Sequence, residues 1–139
     1  MQRSAAPTAY AQHEDEALAL ASALTGASAA SLVCRLGDAS APGSAAATVA
    51  ALGAELGVKG TATDGQVIVP ADGQTDWAVG AWAVARAEAL GITDVSVGGL
   101  GWSRADPESW AGTGDSASSR GPGSAGAAAS QVVILHAAG

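Results

Sequence analysis

The chain contains no phenylalanine, a single cysteine and few cations. Its 139 residues suffice for one domain with its own core. Because much of the apolar content is alanine, the four tryptophans and the valine, isoleucine and leucine runs must supply most of the large core side chains. The formal net charge is −7, with no cluster of lysine or arginine. Since such a surface repels phosphate backbones, nucleic acid is not an expected partner.

The lone cysteine, Cys34, has no partner for a disulfide within the chain. It is either a small buried apolar side chain or a reactive thiol that pairs elsewhere, and its neighbour Val33 favours the first interpretation. The sequence MQRSAAPTAYAQHEDE contains no apolar core of a signal peptide. No stretch approaches the ~20 apolar residues that cross a bilayer, so no membrane span is expected.

Two helices are predicted in the N-terminal half. The first lies in PTAYAQHEDEALALASALTG, where Leu20 and Leu24 are four residues apart and Gly26 is placed to end the helix. The second covers 44–56, with apolar residues on one stripe and Gly57 at its end.

A third helix is predicted over about 75–90, TDWAVGAWAVARAEAL. Thr75 or Asp76 is available as its N-cap, and Gly91 as its end. Its surface is apolar nearly all round, so the helix is expected to be buried on more than one side.

The remaining apolar stretches favour extended structure. The dipeptide Asp64-Gly65 is a hairpin signal, and QVVILHAA at the C-terminal end is apolar on both faces, which is typical of a strand inside a sheet. The predicted extended stretches are 31–36, 58–70, 92–99, 101–103 and 131–138.

This order of elements predicts an α+β fold, with a small, mostly antiparallel sheet packed by two helices and preceded by a separate N-terminal helix. The segment 112–130, GTGDSASSRGPGSAGAAAS, has no large apolar residue and is predicted to be a flexible loop.

Three glycines in VSVGGLGWSR, 95–104, raise the question of a phosphate-binding loop. Such a loop needs a helix directly after the glycines, and none is predicted there. Gly98-Gly99 between two extended runs instead predicts a hairpin turn. No nucleotide or other cofactor is therefore expected.

The stretch GTATD, 60–64, has the Gly-x-Ala-x-Asp form found in zinc D-Ala-D-Ala carboxypeptidases. The histidine that precedes this glycine by three residues in those enzymes is replaced by Gly57, and no glutamate stands shortly before His136. Asp64 is therefore interpreted as a turn residue, and no metal site is expected.

Nucleophilic catalysis lacks its sequence signals. Serines are abundant, but none lies in a Gly-x-Ser-x-Gly stretch that could pair with a histidine. His13, in QHEDE, is interpreted as an exposed helix residue, and His136 as a structural residue at a strand end.

Trp102, Arg104 and Trp110 are the candidate binding residues, because aromatic rings near loops stack on sugars and peptides. The alternative is that both tryptophans cover the edge of the sheet as part of the core.

Two stretches together resemble a family of secreted or membrane-anchored proteins of high-GC Gram-positive bacteria, often labelled heavy metal transporters. The stretches are QRSAAPTAYAQHEDEALALASALTGASAASLVC, 2–34, and VIVPADGQTDWAVGAWAVARAEALGITDVSVGGLGWSR, 67–104. In that family a tryptophan-containing helix, here over 78–87, leads into a strand, a glycine turn and a further tryptophan.

The resemblance implies a lysozyme-like domain upstream of a C-terminal domain that is similar to a metal-free relative of the carboxypeptidase fold. Residues 1–30 would be the last helix of a truncated lysozyme-like domain, and 31–139 the small α+β domain. It further implies an extracytoplasmic location and a non-catalytic cell-envelope module that binds peptidoglycan or a partner domain. A degenerate or truncated peptidoglycan hydrolase, and a purely structural cover for the lysozyme-like helices, are the alternatives.

Overall fold

The computed structural model of the chain describes residues 7–112 and 131–138, with side chains from residue 13 onward. The helices are α1 (Pro7–Leu24), α2 (Ala45–Leu56), α3 (Gln74–Ala85) and α4 (Ala87–Leu90). The strands are β1 (Thr61–Thr63), β2 (Gln66–Pro70), β3 (Ile92–Val97), β4 (Leu100–Ser103), β5 (Ala111–Gly112) and β6 (Gln131–His136). Within these residues, no helix has the length and apolar character needed to cross a membrane.

The six strands form one sheet in the order β1-β2-β6-β3-β4-β5, and every neighbouring pair is antiparallel. The C-terminal strand β6 lies between β2 and β3, as its two apolar faces predicted. The α+β class with an antiparallel sheet is thus confirmed.

Two helices cover one face of this sheet. Helix α2 packs against β1 and β2, and α3 packs against β3 and β6. Between them lies a core of fully buried side chains, among them Leu52 from α2, Val79 from α3 and Ile134 from β6. The opposite face of β6 is less covered, and Leu135 there is 40% exposed.

The end of α1 packs on α3, so α3 is buried on more than one side, as predicted. Gly26 makes this contact possible. Its φ is +75°, and a Cβ built there would lie 1.9 Å from the backbone oxygen of Gln74. The side-chain Nε2 of Gln74 in turn donates to the carbonyl oxygen of Thr25 at 2.9 Å. The rest of α1 stands apart from the sheet, which confirms the separate N-terminal helix.

The predicted third helix is wrong in two details. It begins at Gln74 with Gly73 as N-cap and without a side-chain cap, whereas Asp76, a predicted N-cap, lies in the first turn. It is also not continuous, since Arg86 (φ −95°, ψ 0°) separates α3 from the single turn of α4.

The stretch 31–36 forms no strand, contrary to prediction. Its side chains do alternate, with Leu32, Cys34 and Leu36 half-buried against the core. However, one of its carbonyl groups, that of Leu32, accepts a hydrogen bond from a side chain. Trp110 Nε1 donates to the oxygen of Leu32, and just beyond the stretch Arg104 donates to the oxygen of Gly37.

Both predicted hairpins form. Asp64-Gly65 turns β1 into β2 with positive φ at both residues, and Gly98-Gly99 turns β3 into β4 with φ +60° at Gly98. Of the predicted loop 112–130, Gly112 belongs to β5 and residues 113–130 lie outside the described residues.

Candidate functional site

Trp102 and Arg104, two of the three candidate binding residues, are buried. The ring of Trp102 points from β4 into the core and is 1% exposed. Arg104 follows β4 and is 9% exposed. Trp102 therefore presents no ring face for stacking on a sugar or a peptide.

The guanidinium of Arg104 binds the protein's own backbone. Nε donates to the oxygen of Ile92 at 2.7 Å, Nη1 to that of Gly37 at 2.6 Å, and Nη2 to that of Ala87 at 2.7 Å. Nη1 also lies 3.0 Å from Oε2 of Glu88. Since these contacts engage all three guanidinium nitrogens, Arg104 links the start of β3, the start of α4 and the segment before α2.

Trp110 is half-buried and is the most accessible of the three. Its ring meets that of Trp77 edge to face, with 5.4 Å between centroids, and its Nε1 donates to the oxygen of Leu32 at 2.9 Å. This arrangement matches the alternative in which both tryptophans belong to the core. A binding role for Trp102, Arg104 and Trp110 stays a prediction, with Trp110 alone keeping a partly open ring.

The structure brings together Asp64 and His136, which lie far apart in the sequence. Both line an open cavity of about 490 Å³ at the end of the sheet where β6 stops, and Asp94 from β3 lines it as well. This cavity, called the His136 cleft below, is completed by Gly43, Gly65, Thr93, Leu135, Ala137 and Ala138.

Both ring nitrogens of His136 bind protein groups. Nδ1 lies 2.9 Å from the carbonyl oxygen of Gly65, and Nε2 lies 2.7 Å from Oγ1 of Thr48. Because a carbonyl oxygen only accepts, Nδ1 carries a proton and donates it; in a neutral ring Nε2 then accepts from the Thr48 hydroxyl. His136 thus connects β6 to the β1–β2 turn and to α2.

Gly43 packs so closely against His136 that a side chain at position 43 would collide with it. A Cβ built on Gly43 would lie 2.7 Å from Cβ of His136 and 2.7 Å from the backbone oxygen of Gly91. The backbone is also tied here, since Gly43 N donates to the oxygen of Ala137 at 3.2 Å and Ala137 N donates to that of Gly91 at 2.9 Å. The wall of the cleft beside His136 is therefore tightly packed.

Among the described residues that line the cleft, the carboxylates of Asp64 and Asp94 are the charged side chains. Asp64 is exposed in its turn, whereas Asp94 is half-buried on the strand. Two carboxylates favour a ligand that carries a positive charge or hydrogen-bond donors.

The part of the chain that the structure describes offers no set of ligands for a catalytic zinc. Across residues 7–112 and 131–138, no three His, Cys, Asp or Glu side chains are grouped so that they could hold a metal ion. The position that would supply a histidine in the carboxypeptidase pattern is Gly57, which ends α2 with φ +67°.

Three groups near His136 were not predicted from the sequence: Thr48, Asp94 and the carbonyl oxygen of Gly65. Thr48 interrupts the apolar stripe of α2 with a hydroxyl. Because buried hydroxyl groups are hydrogen-bonded, this threonine indicates a polar partner in the core. Asp94 lies in an otherwise β-like run, where a carboxylate signals a face that is not buried.

Comparisons with protein-family models, with curated proteins and with solved structures return no match for this chain. The α+β fold is shown by the structure itself, whereas the resemblance to the envelope-protein family stays a prediction.

Proposed function

We propose that this chain is a non-catalytic module of the cell envelope whose His136 cleft binds peptidoglycan. The observation that carries the proposal is the state of His136. The cleft contains an imidazole, the usual catalytic base, but its two nitrogens bind Thr48 and Gly65 within the protein.

Nucleophilic catalysis at this position is disfavoured by burial. The Thr48 hydroxyl is the group that the imidazole could activate, and Thr48 is 0% exposed. A substrate cannot reach it without the displacement of α2 from the sheet. Together with the incomplete metal-ligand set, this supports a binding role over a hydrolytic one.

Peptidoglycan suits the chemistry of the cleft. Its stem peptides carry amino groups and amide N–H groups, which complement the carboxylates of Asp64 and Asp94. The family resemblance supports the same ligand, because the domain it implies upstream acts on the glycan strands of this polymer.

The test is co-sedimentation with purified cell walls. The Asp64→Asn/Asp94→Asn variant removes both cleft carboxylates, and asparagine tolerates the positive φ of 47° at position 64. Asp72→Asn/Asp106→Asn is the matched control, since it removes two exposed carboxylates that do not line the cleft.

We expect the control to bind like the unmodified chain and the cleft variant to bind about tenfold more weakly, because two charge-assisted hydrogen bonds are lost. The proposal would be contradicted if both variants were retained equally on the cell walls, or if the unmodified chain were retained no better than an acidic control protein. Release of muropeptides from the walls would instead identify a hydrolase.

A further inference from the structure

Helix α1 projects from the domain with little cover. Every residue from 13 to 21 is exposed, and burial begins only at Ala23, which is 2% exposed near the contact with α3. Three leucine side chains of this helix are exposed to solvent: Leu18 is 60%, Leu20 49% and Leu24 39% exposed. The segment 13–24 is called the α1 arm below.

The apolar residues of the arm follow the spacing of a helix-packing seam. Ala17, Leu20 and Leu24 are separated by three and four residues, which corresponds to positions a, d and a of a heptad. Next to them, an apolar groove of about 370 Å³ runs between the arm and the segment after it, lined in part by Leu20, Ala23 and Leu32.

Carboxylates flank the N-terminal end of the seam on both sides, whereas the next e and g positions are Ala21 and Ala23. With Ala17 at position a, Glu14 takes position e and Glu16 takes position g, the two positions whose charges select the partner helix. Both are exposed, and Glu16 also lines the groove. Asp15 takes position f, away from the seam.

Most helical stability in proteins comes from the tertiary packing of an apolar face. Among the described residues, the arm is buried only near its C-terminal end, at Ala23. We propose that the α1 arm docks onto a second helix from another protein, one with apolar a and d positions and with lysine or arginine at e and g. This inference concerns a surface separate from the His136 cleft.

The charges distinguish this partner from two others. A second copy of the chain would face Glu14 and Glu16 with carboxylates of the same kind, which disfavours self-pairing. An anionic membrane would repel the arm in the same way, and the net charge of −7 adds to that repulsion.

The test measures the binding of labelled synthetic helices to the full chain by fluorescence anisotropy. The basic probe has leucine at a and d and lysine at e and g; the acidic probe has glutamate at e and g instead. We expect the basic probe to bind more tightly than the acidic one by at least tenfold and to weaken as salt is raised.

Two matched pairs of variants locate the contact on the arm. Leu20→Gln/Leu24→Gln alters the seam, whereas Leu18→Gln alters a leucine that lies about 160° from Leu20 and about 120° from Leu24 around the same helix. Glu16→Lys alters a flanking charge, whereas Asp15→Lys makes the same charge change at position f. All these residues are exposed, so each variant is expected to fold, which circular dichroism checks.

We expect the seam variant to lose at least about tenfold in affinity for the basic probe and Leu18→Gln to stay within about twofold. Glu16→Lys should weaken the basic probe more than Asp15→Lys does. The inference is overturned if neither probe binds, if both bind equally, or if Leu18→Gln weakens binding as much as the seam variant.

Two further outcomes also overturn it by assigning the arm to another occupant. One is concentration-dependent dimerisation of the free chain in sedimentation velocity that Leu20→Gln/Leu24→Gln abolishes. The other is binding to vesicles of phosphatidylglycerol that the same variant abolishes. Cell-wall retention should be unchanged in every arm variant, so this test and that of the cleft are independent.

Discussion

The guanidinium of Arg104 joins three parts of the fold by donating to the backbone oxygens of Gly37, Ala87 and Ile92. A buried arginine that satisfies carbonyl groups is stabilising only while every donor keeps its acceptor. Arg104 therefore contributes to the stability of the folded state. Its positive charge is balanced in part by Glu88, whose Oε2 lies 3.0 Å from Nη1 of Arg104.

We expect Arg104→Lys to lower the free energy of unfolding by about 2–4 kcal/mol, because one ammonium group cannot reach all three carbonyl groups and leaves buried acceptors without donors. Urea denaturation followed by tryptophan fluorescence measures the change. The control is Arg35→Lys, whose 2.6 Å contact with Glu108 is formed by side chains that are 75% and 60% exposed. That variant should change stability by less than about 1 kcal/mol, and equal losses in both would contradict the role assigned to Arg104.

Thr48 and His136 form a part-buried hydrogen bond in the wall of the cleft. Thr48→Val keeps the shape of the side chain but removes its hydroxyl, so Nε2 of His136 loses its partner. A loss of about 1–2 kcal/mol in the free energy of unfolding is expected. Thr61→Val, on the exposed edge strand β1, is the matched control and should be nearly neutral. A neutral Thr48→Val would show that the hydrogen bond contributes nothing.

Two glycines within helices, Gly80 and Gly53, allow the effect of close packing on stability to be distinguished from the effect of helix propensity. Gly80 in α3 faces β3, and a Cβ there would lie 2.7 Å from Cγ2 of Val97. Gly53 in α2 has nothing closer than 4.0 Å to such a Cβ.

Alanine at these two positions should therefore have opposite effects. Gly80→Ala is expected to destabilise by about 1–3 kcal/mol, because α3 must move from the sheet. Gly53→Ala is expected to stabilise by about 0.5–1 kcal/mol through helix propensity. Thermal unfolding of both variants distinguishes the effects, and a stabilising Gly80→Ala would show that α3 is not packed closely on β3.

Elements whose ends carry a local signal could be predicted from the sequence. Gly57 ends α2 with φ +67°, and Ser44 begins it by accepting a hydrogen bond from the backbone of Ala47 at 3.3 Å. The Asp64-Gly65 turn is equally local. The break at Arg86 could not be predicted, because alanine and leucine surround it and the helix pattern continues through it.

The site could be predicted only in part, since its contacts are remote in sequence. Asp64 and His136 were both considered, but they meet only because β6 pairs with β2, and residues 113–130 precede that strand. The Thr48–His136 hydrogen bond joins residues 88 positions apart. Residue type suggested a surface role for Trp102 and Arg104, whereas the pairing of β4 with β3 places the Trp102 ring against the core.

The molecule as a whole combines an acidic cleft at one end of the sheet with a helix whose apolar seam is open to water. Together, the two proposals describe a module that binds peptidoglycan at the cleft and a partner helix at the α1 arm. The cleft and the arm use different residues, so binding at each can be removed without the other.

The most direct test of the central claim is a titration of the isotopically labelled chain with a soluble peptidoglycan fragment that carries a stem-peptide amine, followed by heteronuclear NMR. The proposal predicts shifts of the backbone amides of Gly65, Asp94 and Ala137, little change in the α1 arm, and an intact fragment when the sample is analysed afterwards by chromatography. Absence of those shifts, shifts that persist in Asp64→Asn/Asp94→Asn, or cleavage of the fragment would contradict it.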